Sequence, residues 1–176
     1  MPTILSPQPP VFSTAKSLAP RLTTLAGARV SLLDNSKANA GPLLAKVLDG
    51  LVEHHGAKRG ITERKSSSGI PATQGMLDRL RAASDFVLTA SADCGSCTSG
   101  CVQDTVALEV LGVPTVLLGT DAFHPLAKQL AEWLNLPTIQ AAITPHPLGG
   151  ITESELDRKA VELTEVVAKL AVSAQD

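Results

Sequence analysis

Tyrosine is absent from the chain, and aromatic residues together make up 2% of its 176 positions. Surfaces that hold single-stranded nucleic acid stack bases on aromatic side chains, so that class of platform is missing. Basic blocks are missing too. Fifteen Lys and Arg stand against 17 Asp and Glu, for a formal net charge of −2, which removes the electrostatic footprint of a nucleic-acid partner. No apolar run approaches bilayer-spanning length, and the start, Met1-Pro2-Thr3-Ile4-Leu5-Ser6-Pro7, has neither a basic segment nor a long apolar core. The expectation is a cytoplasmic protein with no membrane partner. Several signatures are also lacking. The Gly-Lys-Ser/Thr ending of a Walker loop occurs nowhere, and no G-x-G-x-x-G follows the first apolar run. A phosphatase loop needs Arg six positions after its Cys, where this chain has Gly100 (after Cys94) and Gln103 (after Cys97).

What is present fits one domain with a full core. Residues 1–27 carry Pro2, Pro7, Pro9, Pro10 and Pro20 without a sustained period and read as an extended N-terminal arm. Residues 28–176 carry the domain. Val30-Ser31-Leu32-Leu33 reads as a first buried strand, and Leu43, Val47 and Leu51 as the inner face of a helix closing near Gly56. A second strand is due around Ala57–Thr62, where the residues are too polar to mark one clearly. Met76, Leu80 and Ala83 align on a helix, and Phe86–Thr89 and Pro114–Leu118 read as strands three and four. Phe123, Ala127, Leu130 and Leu134 face inward on a helix with Asp121 as its expected N-cap. A short strand at Ile139–Ile143 precedes a last helix opened by Thr152 and Glu155 at capping-box spacing. Strand and helix thus alternate about five times. The predicted fold is α/β: a single-domain, mostly parallel sheet of about four to five strands with helices on both faces, in flavodoxin-like or Rossmann-like layering.

All three cysteines lie in one stretch, Asp93-Cys94-Gly95-Ser96-Cys97-Thr98-Ser99-Gly100-Cys101. It follows strand three and precedes Val102, Val106 and Val110 at helical spacing, so it is a strand-to-helix loop. Unpaired amides and the positive end of the dipole at a helix start favour a thiolate over a thiol. A reducing compartment makes clustered cysteines catalytic, redox-active or metal-binding rather than a staple. In C-x-x-C, Cys94 lies outermost as the attacking sulfur, and Cys97 is placed to resolve a mixed bond by closing a disulfide. Cys101 either takes part or packs on the helix.

In such a sheet the strand-end loops share one edge, where distant residues converge. The loops there offer Asp34, Asn35 and Lys37, then Arg64 and Lys65, then the cysteines with Ser96 and Thr98, then Thr120, and finally His146 between Pro145 and Pro147. Together they supply a nucleophile, cations, amide and hydroxyl donors and a base for a small polar or anionic substrate. Each has a plainer explanation: Asp34 and Asn35 turn the chain, Asn39 caps a helix, and the cations are solvated. His124 and the His54-His55 pair suit solvent better than a site. Three cysteines fall short of the four that usually hold an iron–sulfur cluster. Zinc on Cys94, Cys97, Cys101 and His146 is chemically allowed, but the regular second half-site is missing, so no cofactor is expected.

Cys94-Gly95-Ser96-Cys97-Thr98-Ser99, followed after one helix by Gly112-Val113-Pro114-Thr115-Val116, resembles the UGSC (seleno)protein family, named for a Sec-Gly-Ser-Cys motif. Leu33-Asp34-Asn35-Ser36-Lys37-Ala38-Asn39, Pro145-His146-Pro147-Leu148-Gly149-Gly150 and the Leu18-Ala19-Pro20-Arg21 arm extend the resemblance over nearly the whole chain. More distantly, a reactive residue before a helix and a Gly-Val-Pro strand resembles the selenoprotein B subunit of glycine, sarcosine and betaine reductases. The family resemblance implies that Cys94 stands where some relatives carry selenocysteine, with Cys97 as its partner.

Two functional classes follow. In the first, the chain is a thiol-dependent enzyme, an oxidoreductase or lyase: Cys94 attacks, Cys97 resolves or moves a proton, Lys37 and Asn35 hold the substrate, and His146 is acid or base. Reductive cleavage drawing on a thiol reductant is favoured, and proton transfer or addition, as in cofactor-independent racemases and lyases, uses the same residues. In the second, the loop binds zinc or docks the chain as a non-catalytic subunit of a larger enzyme, in a homo- or hetero-oligomer.

Overall fold

The structure, a computed structural model, describes residues 16–173. Five strands alternate with five helices: β1 (Arg29–Asp34), α1 (Ala40–His55), β2 (Lys58–Arg64), α2 (Gln74–Ala83), β3 (Phe86–Ala92), α3 (Gly95–Val110), β4 (Thr115–Thr120), α4 (His124–Trp133), β5 (Gln140–Thr144) and α5 (Glu153–Ala171). All neighbouring strands pair in parallel, in the order β2-β1-β3-β4-β5. This is the flavodoxin-like doubly wound order. β3 and β4 are buried along their full lengths, as expected of central parallel strands covered on both faces.

The polar second strand lies at an edge. β2 pairs with β1 alone, and most of its side chains stay partly or fully exposed, which is why its sequence lacks an apolar run. β3 continues past Thr89 to Ala92, so the small residues Ala90-Ser91-Ala92 belong to the sheet.

The helices sort into two layers. α1 and α5 cover one face through Leu43, Leu44, Val47, Leu51, Leu156, Leu163 and Val167, against Val30, Leu32, Leu88, Val116 and Leu118. Gly50 lets α1 and α5 approach closely, since a Cβ there would lie 2.8 Å from the Thr164 side chain. On the other face α2 packs with Leu33 and Val87, and α3 and α4 pack on Leu117. α3 is buried on most of its surface, including Asp104 and Glu109.

Helix starts differ in part from expectation. The capping box at Thr152 and Glu155 is present. Asp121, expected as an N-cap, lies two residues before the N-cap Phe123 and accepts amide hydrogens from Ala122 and His146 instead. Asn39 occupies the N-cap of α1, but its amide donates to the Leu148 carbonyl rather than capping the helix.

The prolines at positions 2, 7, 9 and 10 of the expected arm lie outside the described residues. From Lys16 onward the chain is fastened. Ala19 N–H donates to the buried Glu109 carboxylate, which also pairs with Arg21, and Leu22 bonds the end of α5 through Ala171.

Candidate functional site

The chain passes from β1 outward to β2 and then back across to β3. The loops leaving β1 and β3 therefore diverge and leave a crevice at the carboxyl edge of the sheet. Cys94 stands at its β3 side as the N-cap of α3, with extended backbone at φ −161°. The helix starts at Gly95, so Cys97 lies in its first turn and Cys101 one turn further on.

Cys94 is half-buried, and its Sγ accepts the Cys97 amide hydrogen at 3.3 Å. Thr98 donates both its hydroxyl and its amide hydrogen to the Cys94 carbonyl. Ser96 Oγ, exposed, is 3.7 Å from Cys94 Sγ. No acidic residue occupies the first turn of α3, whose unpaired amides favour a thiolate at its start, while the Asp93 carboxylate directly before Cys94 acts the other way. The two sulfurs are joined as a disulfide, with their Cα atoms 5.2 Å apart. Cys97 is fully buried, which leaves Cys94 as the sulfur open to attack.

Cys101 is walled off. Asn35 Nδ2 donates to its sulfur at 3.3 Å, Thr89 lies behind it, and burial pushes its thiol from 9.0 up to about 12. The zinc set is therefore not brought together: Cys101 sits beneath the crevice, and the other two sulfurs are bonded to each other. Among the described residues, no group of three or more His, Cys, Asp and Glu side chains is arranged to hold a metal ion.

Asp93, which the sequence did not single out, organises the next part. Its carboxylate is only 7% exposed. One oxygen lies 2.8 Å from His146 Nδ1 and accepts the Thr120 hydroxyl at 3.0 Å, while the other accepts the amide hydrogens of Leu148 and Gly149. One side chain thus fastens the Pro145–Gly150 loop to the end of β3, directly before Cys94. A carboxylate at Nδ1 favours the tautomer that keeps the other ring nitrogen, Nε2, free to accept a proton. The ring is 42% exposed. Any Asp that ends a strand looks like a turn residue in sequence, and the available signal was its position beside the first cysteine.

The β1 side is built by hydrogen bonds. Asp34, buried, accepts the Ser36 amide hydrogen and lies 3.4 Å from Arg64 Nε, and Arg64 also donates to Ser36 Oγ. Asn35 is fully buried, with its amide committed to Ser91, Cys101 and Lys37. That commitment ties β1 to β3 and leaves no exposed amide for the substrate contact expected of it. Lys65 also departs from the solvated cation the sequence suggests: it is 4% exposed and ion-paired with Asp104. Thr98 and Thr120 are buried and act through Cys94 and Asp93. Lys37 and Arg64 are the expected cations that reach solvent.

A family model described as the UGSC family matches residues 3–173. No curated protein matches the chain significantly. Among solved structures, the chain is similar to a diflavin flavoprotein A3 from Nostoc sp. at 15% identity, covering 82% of this chain and 94% of that one, with a TM-score of 0.46. It is similar to a short-chain flavodoxin associated with a non-canonical PDU bacterial microcompartment at 13% identity, covering 82% and 99%, with a TM-score of 0.45. A de novo designed PLOOP2X3_50 fold protein aligns at 10% identity over 82% and 93%, with a TM-score of 0.40. No helix among the described residues is long and apolar enough to cross a membrane.

Proposed function

Taking as premise that the chain belongs to the UGSC family, we propose that it is a thiol-dependent oxidoreductase that reductively cleaves a small anionic substrate at Cys94. The observation that carries this reading is the pairing at the start of α3. An accessible sulfur accepts a helix amide, and a fully buried second sulfur lies within bonding reach.

The chemistry balances as follows for a substrate R–S–S–R′. The reduced Cys94 thiol gives its proton to His146 Nε2 and its sulfur attacks one substrate sulfur. A Cys94 Sγ–SR bond forms as the substrate S–S bond breaks, and R′S⁻ leaves with that proton returned by His146. The Cys97 thiol then attacks Cys94 Sγ, the Cys94 Sγ–SR bond breaks, and the proton Cys97 gives up is taken by RS⁻, which leaves as a second thiol. The dithiol loses two electrons and the substrate gains them. A thiol reductant restores the pair by the same exchange in reverse.

Asp93 holds the His146 ring and tautomer, and Lys37 and Arg64 supply positive charge at the rim. Proton transfer at a carbon held between two thiols fits less well, because it requires a substrate atom between sulfurs that here sit against each other.

Single-turnover reaction with glutathione disulfide tests the proposal. The reduced protein should release two glutathione equivalents and close the Cys94–Cys97 bond, whereas Cys97→Ser should release one and retain a glutathionyl group on Cys94 by mass. Retention on Cys101, or release of two equivalents by Cys97→Ser, would sink the assignment.

A further inference from the structure

The buried ion pair between Lys65 and Asp104 has no part in the steps above, yet it links the end of β2 to α3, the helix that carries the two sulfurs at its start. Lys65 follows β2 directly. Its backbone amide donates to the Asp34 carbonyl, and its own carbonyl accepts the Ser36 hydroxyl, so its main chain is fastened to the β1 loop. Its ammonium reaches the other way, to Asp104 on α3. The second oxygen of Asp104 accepts the Ala72 amide hydrogen at 2.6 Å, closing the far end of the segment 66–71.

That segment lies against the start of α3. A Cβ on Gly100 would sit 2.7 Å from the Ser68 carbonyl oxygen and 3.2 Å from Lys65 Nζ, and one on Gly69 would sit 3.2 Å from Ser96 Cβ. Gly100 therefore admits both the loop and the ammonium. Ser96, within the C-G-S-C stretch, is touched from outside by Gly69.

We propose that Lys65 is a positioning residue: through Asp104 it holds the 66–71 loop on the first turns of α3, and through its backbone it holds the β1 loop, fixing the width of the crevice in front of Cys94. The proposal rests on the thiol reading above and adds to it the device that seats an anionic disulfide. Neither residue touches the substrate. Lys65 acts through the two loops it fastens.

The test uses the full chain, reduced, carrying Lys65→Met together with Asp104→Leu. Exchanging both members of a buried pair for apolar side chains avoids stranding one charge, although it also removes the acceptor of the Ala72 amide. Gly100→Ala is the second variant. It keeps both charges, displaces the loop, and decides the matter should the double variant fail to fold. Hydrogen exchange of a peptide spanning 66–72 should accelerate about tenfold or more, with α5 peptides unchanged. Glutathionylation of Cys94 by glutathione disulfide should slow about tenfold, while alkylation by iodoacetamide, which needs access but no seating, should not slow.

Unchanged exchange at 66–72 overturns the proposal. So does a parallel fall in both sulfur reactions, which is the mark of a merely structural role, or no change in either. Failure of the thiol reading looks different: Cys94 of the unaltered protein then takes up no glutathione, and the positioning role falls with it even where exchange responds.

Discussion

Two sulfur environments lie within eight residues of one another, at Cys94–Cys97 and at Cys101. The first occupies the start of α3, where one sulfur accepts a helix amide on a half-buried residue and the other is fully buried. The second lies a turn deeper, fully buried, beneath Asn35 and beside Thr89 of β3. Depth along the helix, rather than clustering in the chain, separates a sulfur at the helix start from one sealed inside the sheet. At the N-terminus the helix dipole stabilises the charged form, and one turn in, desolvation outweighs it together with the nearby Lys65 charge.

The widest gap between the two regions is in alkylation of the reduced protein. A thiol displaced from 9.0 to about 12 holds roughly a thousandfold less thiolate at pH 8 than an ordinary one. Limiting iodoacetamide, followed by peptide mass spectrometry, should therefore modify Cys94 at least about 10³ times faster than Cys101. Comparable labelling of the two would break the comparison outright.

A smaller effect tests whether the first turn works with Asp93 and His146. His146→Gln should slow the reaction with glutathione disulfide by about 10²-fold, because the departing aliphatic thiolate needs a proton. An activated aryl disulfide, whose thiolate leaves unprotonated, should react at nearly the unaltered rate. Asp93→Asn should reproduce that split, through loss of the ring's orientation. Equal slowing with both reagents would mean that His146 only shapes the loop.

The same contrast explains what could be read from residue order. β1, β3 and β4 were legible because central parallel strands are continuous apolar runs, and α5 because its capping box is local. β2 was not, since an edge strand half open to solvent carries Lys58, Arg59, Thr62 and Arg64 without conflict. The C-x-x-C pair and His146 stood out by residue type and neighbourhood. Asp93 and the Lys65–Asp104 pair did not: their meaning comes from partners 53 and 39 residues away, which the fold brings together and spacing cannot reveal. Asn35 was found for its position, but its amide turned out to face inward, a matter of side-chain direction that an Asp-Asn pair at a strand end leaves open.

The gentlest perturbation is pH, applied to the oxidised protein, in which Cys94 and Cys97 have no proton to lose and Cys101 is the one thiol left. Unfolding frees Cys101 to ionise near 9, whereas the native state keeps it protonated up to about 12. The native state then binds more protons than the unfolded state, so the contribution is fully present below pH 9 and is lost as pH rises towards about 12. Within that window, stability should fall by about 1 kcal/mol per pH unit from this thiol. Urea unfolding at pH 8, 9.5 and 10.5 measures the slope, and Cys101→Ala isolates it by subtraction. The substitution lowers stability everywhere through the cavity it leaves, but it should flatten the alkaline decline. An identical decline in Cys101→Ala would assign the loss to other groups and leave the deep sulfur no different from a surface one.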